Sequence, residues 1–217
     1  METQNKAIIL GNGPSLSELD FEYLKSRKDV VSFATNRIDL ILKETDWYPD
    51  YYFCFSSNLT HKDWYTSVDK ISSNTKTKCY VSLKYKKYVA DRENVIFVKT
   101  HEHPRNSKIP SDLFSKTFTE KPLKSFSATV PAFQLCFEMG IKRIGIIGQD
   151  GYTYKRGLNH FDGSYGFEAG NFEKSNDRII RLHDNIEKYC KDKQIKIFNL
   201  TKKSVIKNYK NIDIKHL

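Results

Sequence analysis

The sequence predicts an α/β fold in which a mostly parallel sheet is flanked by helices. Short apolar runs, typical of strands buried on both faces, alternate along the chain with segments of helical periodicity. The 217 residues include 14 Phe and 13 Tyr but only 10 Gly and 6 Pro, which indicates a folded, aromatic-rich core. This length suits one domain, so we expect residues 1–217 to fold as a single unit.

The first half of the chain contains five apolar runs of strand length. The predicted strands are 7–10, 30–35, 51–55, 79–82 and 95–98. A capping-box pattern, Ser15-Leu16-Ser17-Glu18, predicts a helix that continues to about residue 25. A second helix is predicted over 62–71, and residues 101–125 read as irregular.

The second half has clearer boundaries. A helix is predicted over 130–139, with Pro131 in its first turn and Gly140 just past its end. A buried strand follows at 143–147, a helix at about 177–191, and a last strand at 195–200. The loop 151–176 holds five of the 10 glycines, so we predict a mobile lid that closes over a ligand.

Charge and cysteine content limit the function classes. Lys and Arg total 36 against 26 Asp and Glu, and the net charge of +10 favours anionic partners, although heavy lysine usage alone would give the same balance. The four cysteines show no metal-binding or CxxC spacing, so we expect reduced, buried thiols.

With no apolar stretch of membrane-spanning length and no leader-like start, the sequence predicts a cytoplasmic protein, with peripheral contact at the inner face of the membrane as a further expectation.

The segment after the first predicted strand indicates an anion site. Gly11, Asn12, Gly13 and Ser15 lie between a strand and a predicted helix, where free backbone N–H groups suit a phosphate. Leu16 stands where the dinucleotide fingerprint needs glycine, and no Walker A lysine follows. An ordinary tight turn would also explain the glycines.

Polar side chains follow four of the predicted strands. Open α/β sheets bind ligands beyond the carboxyl ends of their strands. The residues at those ends, all able to hydrogen-bond a base, a ribose or a phosphate, are Asn12, Asn36, Ser56, Ser57, Gln149 and Asp150. Each residue alone would pass for a cap or turn former.

Three stretches carry a family resemblance. Residues 11–15, 34–37 and 145–150, with Tyr152 and Tyr154 beyond them, resemble the bacterial lipooligosaccharide sialyltransferases of glycosyltransferase family 42. They are also similar to the motility accessory factor proteins, which are linked to nonulosonic acid transfer onto flagellin, and to the 6-hydroxymethylpterin diphosphokinase-like proteins. The resemblance runs from about residue 6 to 205 and implies a Rossmann-like core of the GT-A-variant type.

The resemblance to the sialyltransferases implies a donor site. It implies a CMP-activated sugar, inversion at the transferred carbon, and no metal or separate cofactor. By position, Asn12 and Asn36 correspond to asparagines that contact the nucleotide, and Asp150 to an acidic residue near the ribose. Ser127 and Thr129 correspond to a turn on the cytidine side. Tyr152 and Tyr154 approximate tyrosines that steady the leaving phosphate.

The catalytic base departs from the family pattern. The resembled family has a His shortly before the last long helix, where this chain has residues 173–177 without one. We therefore expect His160 to take the proton of the acceptor hydroxyl, since imidazole titrates near neutral pH, with Asp162 holding its tautomer. A loop His with a local hydrogen bond is the alternative.

His101 and His103 lack a third ligand at recognisable spacing, so no metal site is predicted.

These observations predict a metal-independent glycosyltransferase that moves a CMP-activated acidic sugar onto a surface glycan or glycolipid, as in lipopolysaccharide or capsule biosynthesis. The sugar is sialic acid, another nonulosonic acid or Kdo. Two alternatives stay open: a pterin-type diphosphokinase, and a non-catalytic nucleotide- or RNA-binding module, for which residues 84–88 interleave Lys with Tyr. The expected partners are the nucleotide sugar and the acceptor rather than nucleic acid, and the oligomeric state is left open.

Overall fold

The chain folds around one large parallel sheet. The computed structural model describes residues 5–55, 62–99, 101–102, 109, 113–114, 117–119, 123–124, 127–152, 159–165 and 171–217. Its strands are β1 (Lys6–Leu10), β2 (Val30–Thr35), β3 (Tyr51–Cys54), β4 (Lys78–Ser82), β5 (Val95–Val98), β6 (His101–Glu102), β7 (Leu123–Lys124), β8 (Arg143–Ile147), β9 (Lys196–Asn199) and β10 (Lys210–Asn211).

Eight of these strands form the sheet in the order β10-β9-β8-β1-β2-β3-β4-β5, and every neighbouring pair is parallel. The short strands β6 and β7 pair separately. This arrangement confirms the predicted α/β, Rossmann-like fold. It explains the continuous apolar runs of the sequence, because helices on both sides of a parallel sheet leave its central strands no face exposed to water.

Helices cover both faces of the sheet. They are α1 (Phe21–Ser26), α2 (Lys62–Ser72), α3 (Val130–Glu138) and α4 (Phe172–Asp192). Side chains of α3 and α4 join one buried cluster with Ala7 and Ile9 of β1. Side chains of α1 and α2 join the other with Ile8 and Leu10. Successive residues of β1 therefore serve opposite layers, and all four are fully buried.

The predicted helix at residues 15–25 is replaced by two shorter elements. A 3-10 turn covers Pro14–Glu18, and α1 starts only at Phe21, where the Asp20 carboxylate accepts the amide of Tyr23 at 2.9 Å. The capping-box prediction is wrong because the Ser15 hydroxyl serves a distant partner: its Oγ accepts the amide of Gly148 at 3.0 Å.

The lid segment is shorter than the sequence suggested. Helix α4 begins at Phe172 rather than at 177, because the Asn171 side chain caps it by accepting the amide of Lys174 at 2.8 Å. Residues 159–165 are also ordered, with a 3-10 turn at Gly163–Tyr165. Residues 153–158 and 166–170 lie outside the described residues, so lid closure stays a prediction.

The segment 202–210 after β9, which includes four lysines, is part of the fold. Ile206 and Tyr209 are buried, and β10 adds a parallel edge strand beside β9.

All four cysteines are buried free thiols, as predicted. Among the described residues, none of the helices combines the length and apolar character that crossing a membrane requires.

The sheet changes direction at β1. The chain proceeds from β1 to β2 and onward to β5, and it later returns to place β8 on the other side of β1. Such a switch point leaves a crevice beyond the carboxyl ends of the two strands where connections depart in opposite directions, and open α/β sheets bind ligands there. Asn12 follows β1, and Gln149 and Asp150 follow β8, so three predicted site residues meet at this crevice.

Candidate functional site

The loop after β1 is joined to the residues that follow β8. The amide of Gly11 donates to the carbonyl oxygen of Ile147 at 2.8 Å, and that of Gly13 donates to Gly148 at 2.7 Å. The Ser15 amide donates to Asp150 Oδ2 at 2.8 Å. The expected use of the Gly11, Gly13 and Ser15 amides for a phosphate is therefore corrected, because these donors already have protein partners.

Steric contact explains the two glycines of this loop. A Cβ on Gly11 would lie 2.2 Å from the carbonyl oxygen of Gly148, and one on Gly13 would lie 2.3 Å from Asp150 Oδ2. Neither distance is compatible with a side chain. The glycines thus allow two strand ends to approach each other, and the candidate ligand-binding groups of the crevice are the side chains around them.

The side chain of Asn12 forms hydrogen bonds through Nδ2, and its other polar atom has no partner among the described residues. Its Nδ2 donates to the carbonyl oxygen of Thr35 at 2.9 Å and approaches Thr35 Oγ1 at 3.3 Å. The residue is only 7% exposed, and among the described residues its Oδ1 has no hydrogen-bond partner. The end of β2 therefore fixes the amide of Asn12 in one orientation, with an acceptor left over at the switch point.

Gln149 and Asp150 show the same pattern. Gln149 Oε1 accepts the hydroxyl of Thr129 at 3.0 Å, which leaves Nε2 buried without a partner in the described part of the chain. Asp150 uses Oδ2 for Ser15, and its Oδ1 is likewise unpaired. Burial raises the pKa of the Asp150 carboxyl, against the opposing effect of the Ser15 hydrogen bonds. The crevice thus gathers two acceptors and one donor that have no partner among the described residues.

Three further residues predicted for the nucleotide site lie near this centre. Thr129, at the start of α3, links to Gln149 and to Ser127, whose Oγ is 3.0 Å from Thr129 Oγ1. Asn36 follows β2 with a φ of 53°, and its side chain hydrogen-bonds the hydroxyl of Tyr165. Three predicted site residues fall outside the described residues, namely Ser56, Ser57 and Tyr154.

His160 lies directly against the loop after β1. Its Nδ1 is 3.3 Å from the carbonyl oxygen of Asn12, and its ring stacks on that of Tyr165 with centroids 3.7 Å apart. A carbonyl oxygen can only accept, so this contact places the proton on Nδ1 and a lone pair on Nε2. The neighbouring amide of Phe161 donates to the same Asn12 carbonyl at 3.1 Å.

Asp162 does not orient His160, contrary to the sequence-based expectation. Its carboxylate accepts Lys43 Nζ at 2.7 Å and the amide and hydroxyl of Ser164. Burial disfavours its charge, but these hydrogen bonds outweigh that effect and lower the pKa of Asp162 to about 2. The tautomer of His160 is set by a backbone carbonyl instead, which no side-chain motif reveals.

Tyr152 lies beside His160. Its ring centroid is 6.4 Å from that of His160 in an edge-on arrangement, and it stacks on Phe172 at 5.6 Å. Asn176 fixes its main chain, accepting the amide of Tyr152 at 2.6 Å and donating to its carbonyl at 2.8 Å. The segment where the resembled family has its His therefore holds the backbone of Tyr152 in this chain.

Several positioning residues were not predicted from the sequence. Arg37 donates to the carbonyl oxygens of Ser164 and Tyr165, and Ser204 Oγ donates to that of Gln149 at 2.8 Å. These contacts join segments distant in the chain, so spacing gives no signal for them.

Within the described ranges, no three His, Cys, Asp or Glu side chains are grouped so that they could hold a metal ion.

Solved structures share this fold at low sequence identity. The MAf glycosyltransferase from Magnetospirillum magneticum AMB-1 is 14% identical with a TM-score of 0.61, over 100% of this chain but only 35% of that one. A complex of the sialyltransferase CST-II with a trisaccharide acceptor and CMP is 15% identical (TM-score 0.51), covering 95% of this chain and 85% of that one. Monomeric CstII gives 17% identity and a TM-score of 0.51, over 94% and 84% of the two chains.

The sequence itself identifies the family. No curated protein matches the chain. A family model does match residues 1–155, the stretch that runs from β1 through β8 and includes the loops on both sides of the switch point. The chain belongs to the 6-hydroxymethylpterin diphosphokinase MptE-like family.

Proposed function

We propose that this protein is a glycosyltransferase that moves a CMP-activated acidic sugar onto a glycan or glycolipid acceptor. One observation carries the proposal: three buried polar atoms, on Asn12, Gln149 and Asp150, have no partner among the described residues and lie at the switch point of the sheet, and His160 contacts the same loop. A buried polar atom without a partner costs about 1–3 kcal/mol. A ligand with matching groups would recover that free energy.

The chemistry of those atoms suits a nucleotide. Asn12 Oδ1 and Asp150 Oδ1 can accept hydrogen bonds from ribose hydroxyls or a base amino group, and Gln149 Nε2 can donate to a base carbonyl. The net charge of +10 favours an anionic donor such as a CMP-linked acidic sugar. Because the loop amides are engaged, the phosphate of the donor would be held by tyrosines, among them Tyr152, whose ring centroid lies 6.4 Å from that of His160.

The proposed reaction uses His160 as a base. The acceptor hydroxyl attacks the anomeric carbon of the sugar while His160 Nε2 takes the hydroxyl proton. A new carbon–oxygen bond forms on the face opposite the phosphate. The bond from the anomeric carbon to the phosphate oxygen breaks, and its electron pair leaves with CMP. Attack from the opposite face gives inversion.

Two sets of relatives support different functions. Proteins that share the fold are described as glycosyltransferases, one of them in complex with CMP and a trisaccharide. The description of the family names a pterin diphosphokinase instead. A diphosphokinase would need ATP and Mg²⁺, so nucleotide preference distinguishes the two functions.

A nucleotide panel tests the proposal by thermal shift. CMP and CDP should stabilise the protein, by about 2.7 kcal/mol at a concentration 100 times Kd, and EDTA should leave that effect intact. Asn12→Ala should abolish the shift. Asn185→Ala is the matched control, since the Asn185 side chain donates to the carbonyl of Arg181 within its own helix, α4. Stabilisation by ATP with Mg²⁺, lost in EDTA, would instead support the diphosphokinase.

A further inference from the structure

A basic and partly apolar patch lies at residues 83–88. Leu83 is 47% exposed and Tyr88 is 39% exposed, although large hydrophobic side chains are otherwise mostly covered. Lys84, Lys86 and Lys87 are exposed between them. The sequence carries no acidic residue from 83 to 90, so this short stretch combines three positive charges with two apolar side chains on the surface.

Buried side chains hold the backbone of the 83–88 patch in place. Tyr85, within it, is fully buried, and Val89 directly after it is 6% exposed, so both anchor the segment in the core. The ring of Tyr88 stacks on that of Tyr65 with centroids 5.2 Å apart. The exposed side chains are therefore presented from a fixed backbone rather than from a loose loop.

The position of the patch relates it to the candidate site. Strand β4 ends at Ser82, and the patch follows at once. All eight strands of the sheet are parallel, so the patch lies at the same carboxyl edge as Asn12 and Gln149. Three strand spacings separate β4 from β1, which corresponds to roughly 14 Å at the usual distance between strands. A short glycan can span that distance.

The chemistry favours lipid over RNA. Single-stranded RNA binders offer exposed aromatic rings on which bases stack. Here the Tyr85 ring is buried, and the Tyr88 ring is already contacted by Tyr65 and by Lys87, whose Nζ is 4.9 Å from its centroid. An exposed Leu among lysines instead matches the interface of an anionic bilayer, where basic side chains meet lipid phosphates and apolar ones enter the headgroup region.

We propose that the 83–88 patch docks this protein on anionic membrane surfaces and thereby presents the crevice at β1 and β8 to acceptors carried by the membrane. The acceptor part of this proposal rests on the proposed glycosyl transfer, whereas the docking part does not. Docking at the carboxyl edge would turn the site toward the bilayer. A lipid-linked glycan would then be within reach without leaving the membrane.

Vesicle sedimentation of the full chain tests the docking. Wild type should bind vesicles of phosphatidylcholine with 30% phosphatidylserine and should bind phosphatidylcholine alone weakly. Lys86→Gln/Lys87→Gln should weaken binding to the anionic vesicles roughly 30-fold, since each basic side chain at the surface contributes about fivefold. Leu83→Ser should weaken it further at high salt, where the apolar contact dominates.

The matched control removes the same charge at the opposite edge. Lys191 and Lys193 are exposed at the end of α4, shortly before β9 begins, so Lys191→Gln/Lys193→Gln should bind vesicles within about threefold of wild type. Equal losses in both double variants, or tighter binding to single-stranded RNA than to vesicles, would overturn the proposal. The CMP thermal shift should be unchanged in every patch variant, and its absence in wild type would count against the glycosyltransferase function alone.

Discussion

Nη1 of Arg37 donates a hydrogen bond to the carbonyl oxygen of Tyr165 at 3.2 Å across 128 residues of chain. It also donates to the carbonyl of Ser164 at 3.1 Å. Arg37 is 6% exposed, and the buried carboxylate of Asp39 lies 3.7 Å from its Nε. Because the ring of Tyr165 stacks on His160, the end of β2 positions the proposed base.

Replacing Arg37 tests this support. Arg37→Lys keeps a positive charge near Asp39 but cannot reach both carbonyls in the same geometry, so the free energy of unfolding should fall by about 1–3 kcal/mol. Urea titration measures the loss, and amide exchange should rise selectively at residues 159–165. Arg92→Lys, at a partly exposed pair with Asp69, should cost less than about 1 kcal/mol. Equal costs at the two sites would contradict the assignment.

Gly13 should tolerate no side chain. Its Cβ would lie 2.3 Å from Asp150 Oδ2 and 2.8 Å from the carbonyl oxygen of Gly148, so Gly13→Ala must shift this loop against rigid backbone and should destabilise the protein by about 1–3 kcal/mol. Had the loop served only to hold a phosphate, the same change would cost nucleotide binding and leave the stability unchanged. Gly163→Ala is the control, because a Cβ there meets nothing within 4 Å. The unfolding temperatures of both variants test this prediction. A Gly13→Ala variant as stable as wild type would rule out the steric explanation.

His160 should matter for turnover and little for donor binding. His160→Ala should lower the transfer rate by roughly 10²–10⁴-fold, the usual scale for losing a general base, while the CMP thermal shift persists. His216→Ala serves as control, since His216 is exposed and its carbonyl accepts Arg143 at the other end of β8. Unchanged turnover in His160→Ala, with a confirmed acceptor, would exclude His160 from the mechanism.

His183 should make stability depend on acid. Burial lowers the pKa of His183 to about 3, and its Nδ1 lies 3.0 Å from the hydroxyl of Tyr209. Between pH 6.5 and that value the unfolded chain binds a proton that the native chain does not, so the free energy of unfolding falls as pH falls. Relative to His183→Asn, wild type should lose about 2 kcal/mol more between pH 7 and 5.

Urea titrations at both pH values measure that difference. His216→Asn, at an exposed residue, is the control for the substitution itself and is compared with wild type at the same two pH values. Parallel pH profiles for wild type and His183→Asn would show that some other group controls acid sensitivity.

The sheet was predictable because its strands are buried on both faces. Every residue from Ala7 to Leu10 contacts a core, so a continuous apolar run was the only pattern available to β1. Strand ends were predictable for the same reason, and they place Asn12 and Asp150 at the crevice. The sequence pattern was therefore sufficient where every residue of an element lies in the same environment, as in a strand buried on both faces.

Partners distant in the chain were not predictable. Ser15 fits a capping box by every local criterion, yet its hydroxyl accepts the amide of Gly148, which lies 133 residues away. The tautomer of His160 depends likewise on the carbonyl of Asn12, while the nearby Asp162 binds Lys43. Spacing along the chain carries no information about such contacts, because the fold creates them.

The pairing of β1 with β8 also has a consequence for protein synthesis. Lys6 faces Val30 on one side and Arg143 on the other, so one edge of β1 finds its neighbour early and the other waits for most of the chain to be translated. Closing that second contact requires ordering a long intervening segment. Until then the loop that carries Asn12 lacks the carbonyls of Ile147 and Gly148. A nascent chain on the ribosome therefore cannot complete the candidate crevice before β8 has emerged and docked.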